Sequence, residues 1–361
     1  MSHITWFDAY APGDEPQLGG KNASLGVMTA AGLPVPPGFA ITCAAYRELL
    51  ASNGLAESLT EVLADVVPDS PATVSAAGTV ARALVMEAQL PAGLDDEIRA
   101  AYAELSQRCV RADVPVAVRS SATCEDSPDA SFAGEHDTYL WIRSADAVVE
   151  HVRRCWASLF TDRAIAYRRA LGYADDGIAM SVGVQKMVLP RTSGVAFTLN
   201  PHNGDRSQVA IDASWGFGEA VVSGSVTPDN FLVDKVLGTV TRRTISSKTV
   251  EHTLGDDDAV VEVDVDETRR DEPCLSDEEI AAVARLARKS EKHYGCPQDV
   301  EWAIDADLPA PDNVLLLQSR PETVWSRKSP GPSRRGDEGY LDSIVHTLMD
   351  PLHGRASQQV R

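Results

Sequence analysis

The stretch VAVRSSATCEDSPDASFAGEHDTYL, residues 116–140, begins and ends with strand-forming residues and has a different composition in between. Residues 116–118 favour a strand, and residues 138–140 restore that pattern after a run of small hydroxyl, acidic and glycine residues. Arg119 opens the run, and its planar guanidinium suits bidentate contact with phosphate, although an arginine here could also be a plain surface charge. Gly134, near the end of the run, lets backbone approach a ligand. The stretch therefore predicts two strands joined by a loop suited to an anion.

The bulk composition is that of an ordinary globular protein with room for two or three lobes. The chain has 361 residues, of which 43% are apolar and 24% are charged. Its net charge of −20 argues against a nucleic-acid or membrane-surface partner, since phosphate backbones attract clustered Lys and Arg. The N-terminal residues lack the layout of a signal peptide, and no apolar run approaches the ~20 residues of a membrane span. The six cysteines form no CxxC pair, which fits a reducing cytoplasm, so we expect a cytoplasmic protein.

The order of predicted elements mixes helices and strands without an internal repeat. A helix is expected at residues 22–31, and Ala-rich helices with proline breaks are expected from 43 to 110. Strands are predicted around 114–119, 137–142 and 180–190, with a helix at 147–170 between the last two. Further strands follow, and short β runs from 230 to 265 suggest a small sheet of their own. Another helix at 278–295 precedes a last strand pair, 300–305 and 313–321.

The composition changes after Trp325. Residues 326–339, SRKSPGPSRRGDEG, contain no large apolar residue and are predicted to be a linker. Residues 340–361 follow, and their apolar residues recur at helical spacing to form one stripe. An amphipathic C-terminal helix and tail are therefore expected, either packed on the same domain or docked on a partner chain.

Two glycine-containing runs could contact phosphate groups. Residues 19–24, GGKNAS, combine glycines that allow close approach, a helix start and the charge of Lys21. A plain helix entry with a solvated lysine is the competing interpretation. Residues 216–224, GFGEAVVSG, could place Gly216 and Gly218 against phosphates, or could form a tight turn between strands.

The last predicted strand pair carries the most specific pattern. Glu301 lies in VEWAID, while Gln318 and Arg320 lie in LLLQSRP. On adjacent strands, Glu301 and Gln318 could point to one face and supply two hard oxygen ligands, which suffice for Mg²⁺ when phosphates and water complete its shell. Arg320 beside them could contact phosphate, whereas on the plainer interpretation the strand side chains are only solvated. Lysine, arginine, glycine loops and an oxygen pair are together what phosphoryl transfer requires.

Taken in order, these motifs resemble the nucleotide-binding domain of phosphoenolpyruvate synthase, which pyruvate phosphate dikinase and rifampin phosphotransferase share. The resemblance covers residues 5–325, and its motifs are GGKNASLG, LPVPPGF, VRSSATCEDSPDASFAG, SGVAFTLNP, GFGEAVVSG, PDNF and LLLQSRP. It implies an ATP-grasp fold of the α+β class, with mixed or antiparallel sheets that clamp ATP. It also implies one nucleotide-binding domain over 1–325, with lobes at about 1–110 plus 190–260, 111–189 and 261–325.

The resemblance also implies a role for each matching residue. By the resemblance, Lys21, Arg119 and Arg320 are expected to be catalytic and to contact phosphate. Gly134 and Thr138 are expected to line a loop over the phosphates of ATP. Gln185 and the backbone near Met187 are expected beside the adenine. Magnesium is expected on Glu301 and Gln318. The residues between them, DADLPAPDN, are longer than the family's usual hairpin turn, so we expect an extended loop with the strands still paired.

One element of the family is missing from this sequence. Family members pass a phosphoryl group to a histidine on a swivelling domain marked by a Gly-Gly…Ser-His-Ala type run, and none of the eight histidines here lies in such a run. The residues after 325 are too few for that domain or for the acceptor-binding domain. The sequence therefore predicts one component of a split enzyme whose partner subunit carries the histidine and the acceptor site. Split enzymes of this kind resemble phenylphosphate synthase, which makes a phenol or cresol-like alcohol a plausible acceptor.

Two other functions remain open at this stage. A self-sufficient kinase would need a base near the γ-phosphate, for which His136 in the predicted phosphate loop is the local candidate. A module that senses ATP without catalysis would not need every charged phosphate and metal ligand.

Overall fold

The computed structural model describes residues 3–67, 70–122, 126–127, 130–131, 138–171, 178–256 and 258–325. These residues form two compact units. Of the described residues, the N-terminal unit contains those up to Ala30 and those of Pro36–Met187, while the C-terminal unit contains Ala31–Val35 and those from Val188 to Trp325. Gly134, His136 and the predicted linker and tail at 326–361 lie outside the described residues.

The N-terminal unit combines a five-stranded antiparallel sheet with helices. In chain order its elements are β1 (Ile4–Trp6), α1 (Glu15–Ala30), β2 (Gly38–Ile41), α2 (Cys43–Ser52), α3 (Leu55–Ala64), α4 (Pro71–Glu87), α5 (Leu94–Arg108), β3 (Val116–Ala122), β4 (Asp126–Ser127), β5 (Ala130–Ser131), β6 (Thr138–Ile142), α6 (Ala145–Ala157), α7 (Asp162–Leu171) and β7 (Met180–Lys186). The strand order is β1-β2-β7-β3-β6, and β4 pairs only with β5.

Alternation along β3 divides this sheet into an apolar and a polar face. Val116 and Val118 are fully buried in a core that includes residues of α2 to α6. Trp156 of α6 is also fully buried there, and its indole Nε1 donates to the carbonyl of Met180 at 3.2 Å. Arg119 points to the opposite face, which α1 covers in part. The apolar face therefore anchors the helical layer, and the other face is available for polar side chains.

The C-terminal unit is built on a six-stranded antiparallel sheet. Its elements are β8 (Pro190–Phe197), β9 (Gln208–Trp215), α8 (Glu219–Val222), β10 (Asp229–Asp234), β11 (Val240–Thr244), β12 (Val250–Leu254), β13 (Val260–Asp264), α9 (Asp277–Tyr294), β14 (Gln298–Asp305) and β15 (Val314–Pro321). The strand order is β11-β10-β9-β8-β14-β15, while β12 and β13 form a separate pair.

Helix α9 covers one face of the six-stranded sheet. It begins with a capping box in which the Ser276 hydroxyl accepts from the amide of Glu279 and the Glu279 carboxylate accepts from the amide of Ser276. Ser290 on this helix lies 2.8 Å from the hydroxyl of Ser319 on β15, and Val300 on β14 is fully buried on the same face. The neighbouring positions on β14 and β15 therefore face away from α9.

The observed architecture confirms the predicted α+β class with antiparallel sheets. The two units differ from the three predicted lobes: residues 1–110 share a unit with 111–187 because β2 pairs with β7. The small sheet expected from 230 to 265 is smaller than predicted, since β10 and β11 join the large sheet and only β12 and β13 stand apart. Among the described helices, none has the length and apolar character needed to cross a bilayer.

Candidate functional site

In the N-terminal unit, strand register brings several predicted residues to one face of the sheet. Arg119 lies opposite Thr138 on β6 and opposite Gly183 on β7. Gln185 is two residues beyond Gly183 and therefore shares this face. Arg119 is half-buried, Thr138 is exposed and Gln185 is buried. The structure thus places Arg119 and Thr138, from the two ends of one motif, on a common surface with Gln185 from a separate segment.

The start of α1, which contains Lys21, is held against this face of the sheet. The helix is interrupted at Gly19, where φ is 67° and ψ is 170°. A Cβ at Gly19 would lie 2.2 Å from the carbonyl oxygen of Ser121, so this close approach requires glycine. Asn22 then fixes the helix to the sheet, since its amide donates to the Ser121 hydroxyl at 3.2 Å and its side chain to the Ser181 hydroxyl at 2.9 Å. Lys21, next in sequence to Asn22, is consequently positioned beside β3.

The two residues predicted beside the adenine are fixed by hydrogen bonds within the unit. Gln185 is 2% exposed, and its side-chain amide donates to the carbonyl of Pro36 at 3.3 Å. The amide of Met187 donates to the carbonyl of Pro115 at 2.8 Å. Their contact with a base stays a prediction, as does the predicted phosphate loop, most of which lies outside the described residues.

In the C-terminal unit, Glu301 lies directly opposite Gln318 across the β14–β15 pair. This confirms the prediction that the two strands pair despite the long loop between them. The same row continues across the sheet from Glu301 to Val195 on β8, then to Asp212 on β9 and to Asn230 on β10. Residues opposite one another point to the same face, so a carboxylate–amide pair lies at each end of this row.

Arg320 is oriented by a carboxylate on the neighbouring strand. It lies opposite Asp299 in the register, and its Nε and Nη2 donate to Asp299 Oδ2 at 2.9 and 2.7 Å. The arginine side chain keeps 32% exposure and the aspartate 11%. The contact holds the guanidinium on the same face as Glu301, where the predicted phosphate contact can be tested.

Asp212 is a residue that the sequence did not single out. It is 1% exposed, and its Oδ1 accepts from the side-chain amide of Asn230 at 2.9 Å. Burial raises the pKa of Asp212 to about 7, with the Asn230 hydrogen bond opposing the shift and the charge of Asp299 adding to it. An acid inside the apolar strand run QVAIDASW was the available signal.

A second buried acid, Asp229, is fully neutralised. It pairs with Lys248 at 2.7 Å, and both side chains are completely buried. Asp229 also accepts from the amides of Ser246 at 3.0 Å and Cys274 at 2.9 Å. The pair joins the start of β10 to the connection between β11 and β12, and the Cys274 contact joins it to the segment that leads into α9, so its role is structural.

The oxygen donors at one end of the cross-strand row fit a magnesium ion. Glu301 offers a carboxylate and Gln318 a side-chain carbonyl, both half-buried and opposite in register. Across the described ranges there is no cluster of three or more His, Cys, Asp or Glu residues able to hold a metal. Magnesium does not require such a cluster, because it keeps water and nucleotide phosphates in its shell.

Comparison with known proteins identifies the family. Residues 15–338 match the model for the pyruvate phosphate dikinase, AMP/ATP-binding domain. The chain is 43% identical over 345 residues to a probable phosphoenolpyruvate synthase of Staphylothermus marinus, covering 90% of this chain and 41% of that protein. It is 42% identical over 374 residues to a phosphoenolpyruvate synthase of Pseudomonas aeruginosa, covering 99% of this chain and 46% of that protein. The chain thus spans less than half the length of these relatives. By these matches the chain belongs to the pyruvate phosphate dikinase AMP/ATP-binding domain family.

Proposed function

We propose that this chain is the ATP-binding component of a dikinase-type phosphotransferase with an ATP-grasp fold. The observation that carries the proposal is the match of the family's AMP/ATP-binding domain to residues 15–338, together with the paired Glu301 and Gln318. The similar proteins of known name are phosphoenolpyruvate synthases.

The reaction transfers the β-phosphoryl group of ATP to a histidine of a partner subunit. The imidazole nitrogen forms a bond to the β-phosphorus, the bond between the β-phosphorus and the α,β-bridging oxygen breaks, and AMP leaves with that oxygen. Water releases the γ-phosphoryl group as phosphate, so that ATP, histidine and one water give phosphohistidine, AMP and phosphate. A small acceptor, for example a phenol or cresol-like alcohol, then takes the phosphoryl group from the histidine on the partner.

The residues of this chain bind and orient the polyphosphate and offset its charge. Lys21 and Arg119 contribute cations from the N-terminal unit, and Arg320 contributes a third, fixed by Asp299. Glu301 and Gln318 would hold Mg²⁺, which when bound neutralises phosphate oxygens. Positioning and charge neutralisation account for most of the catalysis in phosphoryl transfer, so the chain needs no nucleophile of its own.

Chromatography of adenine nucleotides tests this function. The purified chain is incubated with Mg·ATP alone, and then with protein captured by it from the cells that encode it. We expect ATP to persist with the chain alone and to become AMP and phosphate with the captured fraction. The captured protein should also gain covalently bound phosphate that acid releases, as phosphohistidine does. ADP formed by the chain alone would instead identify a self-sufficient kinase or hydrolase and would overturn the split-enzyme proposal.

A further inference from the structure

Hydrogen bonds to neighbouring segments fix the backbone of the glycine-rich loop Gly216–Glu219, which follows β9. The amide of Gly216 donates to the carbonyl of Arg191 at 3.1 Å, and the carbonyl of Gly216 accepts from the Ser193 hydroxyl at 2.5 Å. The next amide, that of Phe217, donates to the carbonyl of His252 at 2.9 Å. Gly216 has a φ of 71°, and a Cβ there would lie 2.1 Å from the same His252 carbonyl oxygen. The loop conformation therefore depends on the position of His252.

The loop lies at the same face of the large sheet as the proposed magnesium ligands. A Cβ at Gly218 would be 3.3 Å from the Ser193 hydroxyl, so the loop packs on that side chain. Ser193 is two residues from Val195, which is opposite Glu301 in the register, so all three point to one face. Ser214 shares this face as the cross-strand partner of Ser193, and its buried hydroxyl has no hydrogen-bond partner within the described part of the chain.

The imidazole of His252 links the loop to the β12–β13 pair. Its Nδ1 is 3.9 Å from the Glu219 carboxylate at the end of the loop, and its Nε2 is 3.3 Å from the Glu262 carboxylate on β13. The His252 side chain is 15% exposed, whereas the two carboxylates are 59% and 55% exposed. The imidazole thus lies between two acids, one of which belongs to the glycine-rich loop.

The segment that supplies His252 is itself fixed beside the loop. The guanidinium of Arg269 stacks 4.5 Å from the ring centre of Trp215, the residue before Gly216, and pairs with Glu251 of β12 at 3.2 Å. The Trp215 indole donates to the carbonyl of Arg269 at 3.3 Å. β12 and β13 do not belong to the large sheet, but an isolated parallel β-bridge between Gly216 and His252 joins β12 to the loop.

From these contacts we propose that His252 is a positioning residue for nucleotide binding, which fixes the Gly216–Glu219 loop through its backbone carbonyl and its imidazole. The inference rests on the proposed function, and it takes the first of the two sequence-based alternatives, in which Gly216 and Gly218 lie against the phosphates of ATP. A loop ordered before binding loses less conformational freedom when the ligand arrives. In this inference the imidazole, 3.9 Å from the Glu219 carboxylate, also draws that carboxylate, which would repel a polyphosphate, toward β12 and β13.

Calorimetric titration with Mg·ATP, done on the full chain, tests the inference with His252→Ala, His252→Gln and the control His293→Ala, an exposed histidine on α9. We expect His252→Ala to weaken binding about tenfold, equivalent to about 1.4 kcal/mol. Glutamine can still donate to a carboxylate, so His252→Gln should recover most of the affinity. His293→Ala should bind like the wild type. Wild-type affinity in folded His252→Ala would overturn the inference, as would equal losses in the alanine and glutamine variants.

Hydrogen exchange at the Phe217 amide separates this inference from the proposed function. If the wild type binds no Mg·ATP, the proposed function fails. The amide of Phe217 should still exchange faster in His252→Ala than in the wild type and in His293→Ala if the imidazole fixes the loop. Unchanged exchange there would contradict the positioning role whatever the nucleotide result.

Discussion

Replacing Asp212 by asparagine should remove a pH-dependent loss of stability that this carboxyl imposes on the folded chain. Asp212 is 1% exposed, and burial raises its pKa to about 7 from an ordinary 3.8. Between these two values the folded state holds a proton on Asp212 that the unfolded state has released. The free energy of unfolding must therefore fall as pH rises through this window and stay level above it.

The expected magnitude follows from the size of the shift. A pKa displacement of about three units corresponds to about 4 kcal/mol over the whole window. Between pH 5 and pH 8 the remaining part is about 3 kcal/mol, since the folded-state carboxyl is almost fully protonated at pH 5 and mostly ionised at pH 8, while the unfolded-state carboxyl is ionised throughout. Asparagine has the same shape and can still accept the hydrogen bond from Asn230, but it carries no charge to bury. Asp212→Asn should thus gain about 3 kcal/mol relative to the wild type between pH 5 and pH 8.

Urea unfolding of the full chain, followed by tryptophan fluorescence at pH 5, 6, 7 and 8, measures this difference. Contributions from other titrating groups cancel when the two proteins are compared at each pH. Asp266→Asn is the matched control, because hydrogen bonds from the Thr268 hydroxyl and amide lower the pKa of that exposed carboxyl. The stabilisation that the Asp266 carboxylate contributes is lost only at acid pH. A plot of unfolding free energy against pH for Asp266→Asn should therefore run parallel to that of the wild type from pH 5 to 8. Parallel curves for Asp212→Asn as well would refute the argument that a buried, proton-binding carboxyl lies at this position.

Three other substitutions test the remaining elements of the site. Gly19→Ala places a Cβ 2.2 Å from the Ser121 carbonyl at a φ of 67° and should lower unfolding stability by about 1–3 kcal/mol, measured by urea denaturation; unchanged stability would contradict the close approach. Lys248→Ala leaves the buried Asp229 carboxylate without its cation and should lower the free energy of unfolding by about 3–5 kcal/mol, measured by thermal unfolding. An unchanged melting temperature would contradict this expectation. Glu301→Gln should abolish the gain in ATP affinity that Mg²⁺ gives the wild type in calorimetry, and a retained gain would remove Glu301 from the metal site.

The strand pair that carries Glu301 and Gln318 could be predicted because both segments are strongly apolar and end in turn residues. The N-terminal sheet was predictable for the same reason, as Val116, Ala117 and Val118 form a short apolar run that ends at Arg119. Such patterns depend on residues close in the sequence, which share one local geometry. Lys21 could be placed at a helix start, but the interruption at Gly19 could not, because it arises from contact with Ser121, about a hundred residues away.

Asp212 and His252 show what local patterns do not reveal. Asp212 in IDAS has the alternation of a half-solvated strand, and its burial becomes visible only when β8 and β10 pair on either side of it. His252 contacts a loop more than thirty residues earlier in the chain, through a strand pair that stands apart from the large sheet. Neither contact leaves a periodic signal, since each depends on the tertiary position of a distant element.

The β-bulge in β15 explains why Gln318 can face Glu301 at all. Trp302 pairs with Leu316, whereas Glu301 pairs with Gln318, so Leu317 is an extra residue in β15. Strict alternation from Leu316, which is fully buried, would turn Gln318 to the α9 face and Ser319 away from it. The extra residue reverses this parity: Gln318 joins Glu301, and Ser319 reaches its partners on the α9 face. The LLLQSR run conceals the change, because three successive leucines fit either register. The pairing of the two proposed magnesium ligands therefore depends on a backbone irregularity that composition cannot reveal.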